Sequence, residues 1–200
     1  MYIILIMDKQ QEAELKKKLG KLAQDGFKLG QTISGMYKDT INSKYPEKDG
    51  NCFFNLCPLD CDGDLSLMEK VLEGMHKDQS KSKSPPLKFP YHLGKMLLSA
   101  GDDRLSVIVH VPDCLLDKLK PVDWIEIVKP LNGIIIETST NIAKAYVPAD
   151  QVNNRYPLKD RDILSNASFA LLRSKNLMND PESDDEPDYV GMAQEAGIEW

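Results

Sequence analysis

The stretch Asp103–Lys129, DRLSVIVHVPDCLLDKLKPVDWIEIVK, decides the fold. Leu105, Val107, Val109 and Val111 alternate on one face of a strand, and Ile108 adds apolar surface to the other. A strand apolar on both sides is covered on both sides, which is the mark of a central strand in an α/β sheet. Pro112 and Asp113 are read as opening a short helix that Pro121 stops. A second strand is expected over Val122, Trp124, Ile125, Ile127 and Val128.

Working outward, Met1–Met7 is apolar at every position and is expected to be another buried strand. It has no basic segment before it and no small-residue cleavage site after it, so it does not read as a signal peptide. Gln11–Gln24 carries Ala13, Leu15, Leu19, Leu22 and Ala23 on one helical stripe, and Gly26 fits a C-terminal cap. Phe27–Tyr37 is expected to be a strand. Cys52–Leu56 follows as a strand after a polar Lys38–Gly50 turn, then Pro58–Asp64 as a loop. Leu65–Met75 is a helix with Leu65, Met68, Val71, Leu72 and Met75 inward. With Leu105–Val111, these elements spell β-α-β-β-α-β, a ferredoxin-like α/β (α+β) arrangement.

Residues 77–88, rich in Ser, Lys and Pro, read as a flexible loop, and Phe89–Ala100 as a short edge helix. Asn132-Gly133 is a hairpin cue between the Val122–Val128 strand and Ile134–Thr138. Ala143–Val147 is either a partner strand or an extended edge. Asp160–Ser174 is the last helix, with Ile163, Leu164, Ala167, Leu171 and Leu172 inward. The expected organisation is one compact domain over residues 1–178, with a C-terminal hairpin and helix, and a disordered acidic tail over 179–200.

The net charge of −6 is uneven: Asp180–Trp200 holds eight acidic residues and no Lys or Arg, leaving 25 basic and 23 acidic residues in the body. A near-neutral body lacks the field of a general nucleic-acid binder. Tyr2, Phe53 and Phe54 fall where an RNA-binding sheet places its aromatics, but without flanking Arg and Gly, so an RNA-binding module is the minor alternative. No apolar run is long enough for a membrane span. The four cysteines then read as reduced thiols in a cytoplasmic or nuclear protein.

Leu59-Asp60-Cys61-Asp62-Gly63-Asp64-Leu65 is the sharpest motif. An apolar run followed by D-x-D-G-x-L resembles the first motif of haloacid-dehalogenase-type phosphatases. The resemblance implies Asp60 as nucleophile, Asp62 as general acid and base, and Mg²⁺ held between them. Asp64 stands where that family has Thr. A turn whose last Asp caps the Leu65 helix is the reading that composition alone favours. A calcium loop fits less well, because Val71 occupies its twelfth position.

Cys52, Cys57 and Cys61 with His76 make a Cys₃His set, but without the tight C-x₂-C knuckle of structural zinc sites. His110 and Cys114 flank the end of the central strand with Asp113 and Asp117 nearby. Their apolar neighbours favour a structural role over a Cys–His nucleophile. No phosphate-binding glycine loop is present, and no cofactor is expected.

The tail places Tyr189, Val190, Met192, Ile198 and Trp200 within acidic surroundings, the pattern of a segment that docks on a partner. Ser84-Pro85 suits a proline-directed kinase and Ser183-Asp-Asp-Glu an acid-directed one. Together these features lead to an expectation of a non-catalytic adaptor or regulatory subunit with one or more protein partners, as in a multi-subunit complex. The rival expectation is a small Mg²⁺-dependent phosphohydrolase using Asp60 and Asp62.

Overall fold

The structure, a computed structural model, describes residues 9–41, 54–77 and 93–177, with side chains of the first helix described over 13–30. The expected Met1–Met7 strand, most of the 77–88 loop and the 179–200 tail lie outside these residues. So do Tyr2, Cys52, Phe53, Ser84, Ser183 and the five apolar tail residues.

The chain is an α/β fold around a mixed five-stranded sheet. Its elements are α1 (Lys9–Ile41), β1 (Phe54–Leu59), α2 (Leu65–Met75), β2 (Gly94–Ala100), β3 (Arg104–His110), α3 (Pro121–Ile125), β4 (Ile134–Thr138), β5 (Ile142–Pro148) and α4 (Pro157–Ser174). The strand order is β1-β2-β3-β5-β4, with β1 parallel to β2 and every other pair antiparallel. The stretch that opens the sequence reading thus supplies the middle strand; the last helix is present as α4, and a C-terminal hairpin is formed by β4 and β5 instead of the strands expected for it.

Residues Leu105 to Val109 of β3 are all buried. Leu105, Val107 and Val109 join Met96, Leu98, Ala143, Ala145 and Val147 on one face, under Trp124 and Ile125 of α3 and Leu164 and Leu172 of α4. Phe54 meets Trp124 edge to face at 5.3 Å between ring centroids. Ile108 lies on the opposite face with Leu97 and Cys57, under Met68, Val71, Leu72 and Met75 of α2. Leu19, Leu22 and Leu29 of α1 close this second core from outside.

Several local expectations are overturned. Phe27–Ile41 continues α1 instead of forming a strand, so the chain does not follow the ferredoxin-like succession residue by residue. Gly26 does not cap the helix; it is where α1 crosses α2. A Cβ on Gly26 would stand 2.1 Å from the Val71 carbonyl oxygen, and one on Gly74 would stand 2.1 Å from that of Ala23. Only two facing glycines let these backbones touch.

Gly94–Ala100 is strand, not helix. The run is buried on both faces, and a short two-sided apolar segment has no period to separate the alternatives. Pro58 does not end its strand; β1 runs to Leu59 and has β2 as its only strand neighbour among the described residues, a position that tolerates a missing N–H.

Pro121 starts α3 at its first turn instead of stopping a helix, and a 3₁₀ segment follows over Glu126–Leu131, replacing the expected Val122–Val128 strand. Asn132, at φ 55°, ends that segment: its N–H donates to the Lys129 carbonyl and Gly133 N–H to that of Val128. The Asn-Gly pair therefore closes a Schellman-type cap, and the hairpin lies one element later, between β4 and β5. Ala143–Val147 belongs to β5, an inner strand.

The buried stripe of α4 is Asp160, Leu164, Ser168 and Leu172, while Ile163 is 39% exposed. Its polar members are satisfied. Ser168 Oγ accepts from Trp124 Nε1 at 2.7 Å, and Asp160 pairs with Arg155 at 3.3 Å.

The glycine crossing makes a direct test. Gly74→Ala should cost about 1–3 kcal/mol, the usual range for overpacking. Gly20→Ala, on α1 with nothing within 4 Å of its Cβ position, should stabilise by about 0.5–1 kcal/mol through helix propensity. Denaturant unfolding of the two variants reads both. Equal effects of one sign would contradict the close crossing.

Candidate functional site

The sheet face under α2 carries two polar rows flanking an apolar one. Across β2 and β3, Leu97 pairs with Ile108; on one side of them Ser99 pairs with Ser106, and on the other Lys95 pairs with His110. The two polar rows are used differently.

The serine row anchors the loop between β1 and α2. Cys61 and Gly63 N–H donate to Ser99 Oγ at 3.1 and 3.2 Å, and Ser106 Oγ donates to the Gly63 carbonyl. Gly63 has φ +67°, and a Cβ there would meet the Gly101 backbone nitrogen at 3.0 Å. Asp64 Oδ1 accepts from Ser66 and Leu67 N–H at 2.7 and 3.2 Å, capping α2.

The motif is thus a bolted turn whose last Asp is a helix cap. Asp60 and Asp62 are exposed on it, Asp62 at φ 50°. Cys61 is buried, and its thiol is pushed up to about 11 by burial and then by the Asp60, Asp62 and Asp64 carboxylates.

The lysine row builds an enclosed basic cluster. Lys95 is 1% exposed; its ammonium donates to the Leu93 carbonyl at 3.0 Å and lies 3.4 Å from His76 Nε2. His76, the C-terminal cap of α2, stacks at a tilt on His110, ring centroids 4.4 Å apart. The His110 Nδ1 atom is buried and has no hydrogen-bond partner among the described residues.

Burial drives all three groups toward neutrality, against the pull of Cys57 at Lys95, and the Lys95 charge adds to it at both histidines. Lys95 falls to about 8, His76 to about 4 under burial and the Lys95 charge, and His110 to about 3 under burial, His76 and Lys95. Cys57, whose Sγ donates to Asn55 Oδ1 at 3.1 Å, rises to about 12 through burial, opposed by Lys95. The two histidines open onto a cleft of about 390 Å³, completed by Pro112, Asp113 and Asn141. Asn141 Nδ2 bridges the Val111 carbonyl at 3.0 Å and Asp113 Oδ1 at 2.7 Å, which fixes the rim.

Of the residues singled out from sequence, the structure brings His76 and His110 together, though they were assigned to different candidate sites. Cys57 joins them through Lys95. Cys114 is exposed at the start of the chain segment leaving β3. No group of three His, Cys, Asp or Glu side chains placed to hold a metal occurs among the described residues. Lys95 itself was missed. Its signal was a lysine inside the apolar run Leu93–Leu98, which a helix assignment had turned toward solvent.

No family model matches the chain, and no curated protein matches it. Among solved structures, it resembles the C-Ala domain of alanyl-tRNA synthetase from Aquifex aeolicus, at 14% identity and a TM-score of 0.31. That likeness covers 57% of this chain and 88% of that one. Among the described residues no helix is long and apolar enough to cross a membrane.

The cluster gives stability a pH dependence of known sign. His76 and His110 protonate below their ordinary value of 6.5 in the unfolded chain, but only near 4 and 3 in the folded one. The unfolded state therefore binds more protons as pH falls below 6.5, and the fold weakens. Between pH 6.5 and 5, above most carboxylate titration, the loss should be on the order of 2–4 kcal/mol. Urea melts of the wild type and of a His76→Gln/His110→Gln variant test this: the variant should show a flatter profile, and parallel profiles would remove the cluster as the cause.

Proposed function

We propose that this chain is a non-catalytic interaction subunit that engages a protein partner along the free edge of β4. The observation that carries this reading is the state of that strand. β4 has β5 as its only strand neighbour among the described residues, and Ile134 and Ile136 are 47% and 49% exposed on it. An edge strand with exposed β-branched residues is a template for strand addition. The register shift between Ile135 and Glu137 bends the edge and limits open-ended self-pairing, while both isoleucines still meet solvent. Lys144 of β5 ties the strand to the body, pairing with Glu137 and with Glu69 of α2, each at 2.6 Å.

The apolar tail residues Tyr189, Val190, Met192, Ile198 and Trp200 are a second contact in this proposal, with phosphorylation of Ser183 adding charge beside them. A multi-subunit assembly in the cytoplasm or nucleus is the setting that fits such a subunit. The alternative, a Mg²⁺-dependent phosphohydrolase, rests on the exposed Asp60 and Asp62.

The test compares proteins co-isolated with the full chain, with an Ile134→Lys/Ile136→Lys variant, and with a chain ending at Asn179. Both edge substitutions lie at exposed positions and should change stability by less than about 0.5 kcal/mol. A defined partner held in stoichiometric amount by the full chain, and weakened at least tenfold by the edge variant, supports the reading. Undiminished capture by the edge variant sinks the β4 interface, and undiminished capture by the shortened chain sinks the tail contact. Turnover of a phosphate ester that Asp60→Asn abolishes would replace the adaptor reading with the hydrolase.

A further inference from the structure

We propose that the acidic segment Asp180–Trp200 docks within its own chain, on a row of lysines along the outer side of α1. Docking of this kind belongs to the isolated chain, so it stands or falls apart from the β4 interface. A partner that takes the segment would displace it from α1.

α1 is sided in charge. Leu19, Leu22 and Leu29 turn toward α2 and the sheet. At about 100° per residue, Lys17 and Lys21 fall on the opposite side, with Lys16 beside them. All three are exposed and make no ion pair among the described residues. Lys17 and Lys21 stand one turn apart, where like charges repel. Lys18 differs: Glu14 lies one turn before it, and its charge reaches Cys61, in the loop that carries Asp60 and Asp62. Lys70, Lys129 and Lys144 of the body each pair with a glutamate. The row is thus a local excess of positive charge on a near-neutral body. Leu15, 41% exposed on the same stretch, adds apolar surface.

The segment matches this face in sign and in kind. Five of the seven residues Glu182–Asp188 are acidic, and no Lys or Arg occurs from Asp180 to Trp200. Tyr189 and Trp200 supply rings for the lysine stems and ammonium groups, and Val190, Met192 and Ile198 supply apolar surface for Leu15. The connection is long enough. α4 packs on the sheet face opposite α1, and the 23 residues after Leu177 span up to about 75 Å. The seven-residue strands they must go round are about 23 Å long. Covalent attachment holds the segment near the row at an effective concentration of about a millimolar, so a weak contact suffices. RNA or an anionic membrane would have to bind from solution against that competitor. A phosphate on Ser183 would add about −1.5 to −2 of charge and tighten the contact.

Nuclear magnetic resonance of the nitrogen-labelled full chain tests this through the Trp200 indole signal. Trp124, the other tryptophan, is buried and bonded to Ser168, which separates its signal. At low salt the Trp200 signal is expected away from its position in a peptide of residues 180–200. Raising salt from about 10 mM to about 1 M shortens the screening length from about 30 to about 3 Å. The docked fraction should fall at least fivefold, and the Lys16–Lys21 amides should shift with it. Lys16→Glu/Lys17→Glu/Lys21→Glu should cause the same loss at low salt, with glutamate keeping the helix propensity of lysine. Should that variant fail to fold, Asp184→Asn/Asp185→Asn/Glu186→Gln takes its place, with the same loss expected.

A Trp200 signal already at the peptide position in low salt overturns the proposal, as does a displaced signal that the charge variant leaves in place. A displacement that grows with protein concentration assigns the row to a second copy and overturns it too. The same holds if an RNA oligonucleotide or phosphatidylserine vesicles move the Lys16–Lys21 amides while the Trp200 signal stays where it was.

Discussion

Everything in this molecule follows from a middle strand that is buried on both faces. Five consecutive residues of β3 are buried, so neither face can be left to water. One face is closed by α3 and α4 with Trp124 at its centre, the other by α2 with α1 laid over it. The second cover is the demanding one. α2 has only 11 residues, and its outer side is completed by a helix brought to backbone contact at Gly26 and Gly74. A 33-residue α1 is about 50 Å long at 1.5 Å per residue, three times the length of the helix it covers.

What could be read from sequence divides along physical lines. The middle strand, α2 and the last helix were legible because their apolar periods are long or their caps specific, Asp64 above all. The errors fall where period is silent. Gly94–Ala100 is buried on both sides, so its apolar run spells strand and helix equally well. Pro121 and Asn132-Gly133 are punctuation with two meanings: a proline starts a helix as readily as it stops one, and Asn-Gly in the left-handed region caps a helix as readily as it turns a hairpin. Gly26 was read as a terminus because a glycine inside a helix is unfavourable on its own; its cause is a partner helix from a distant part of the chain, which no local window contains.

The same limit hid the candidate site. His76 and His110 were each noticed, one as a zinc ligand and one as half of a nucleophilic pair. What joins them is Lys95, and its inward direction depends on β2 being a strand. With β2 as strand, alternation puts Lys95, Leu97 and Ser99 on the α2 side and Met96 and Leu98 on the other.

The two polar rows on that face are used differently. Ser99 and Ser106 are fully buried, yet both make hydrogen bonds to the Cys61–Gly63 main chain. They position a loop, and apolar residues in their place would lose it. Lys95 donates to the Leu93 carbonyl and lies against His76, whose ring stacks on His110. Burial lowers the proton affinity of both Lys95 and His110, and at His110 the charges of His76 and Lys95 lower it further. The cluster weakens the fold in acid, and its imidazoles open on a cleft whose rim Asn141 fixes by bridging Val111 and Asp113.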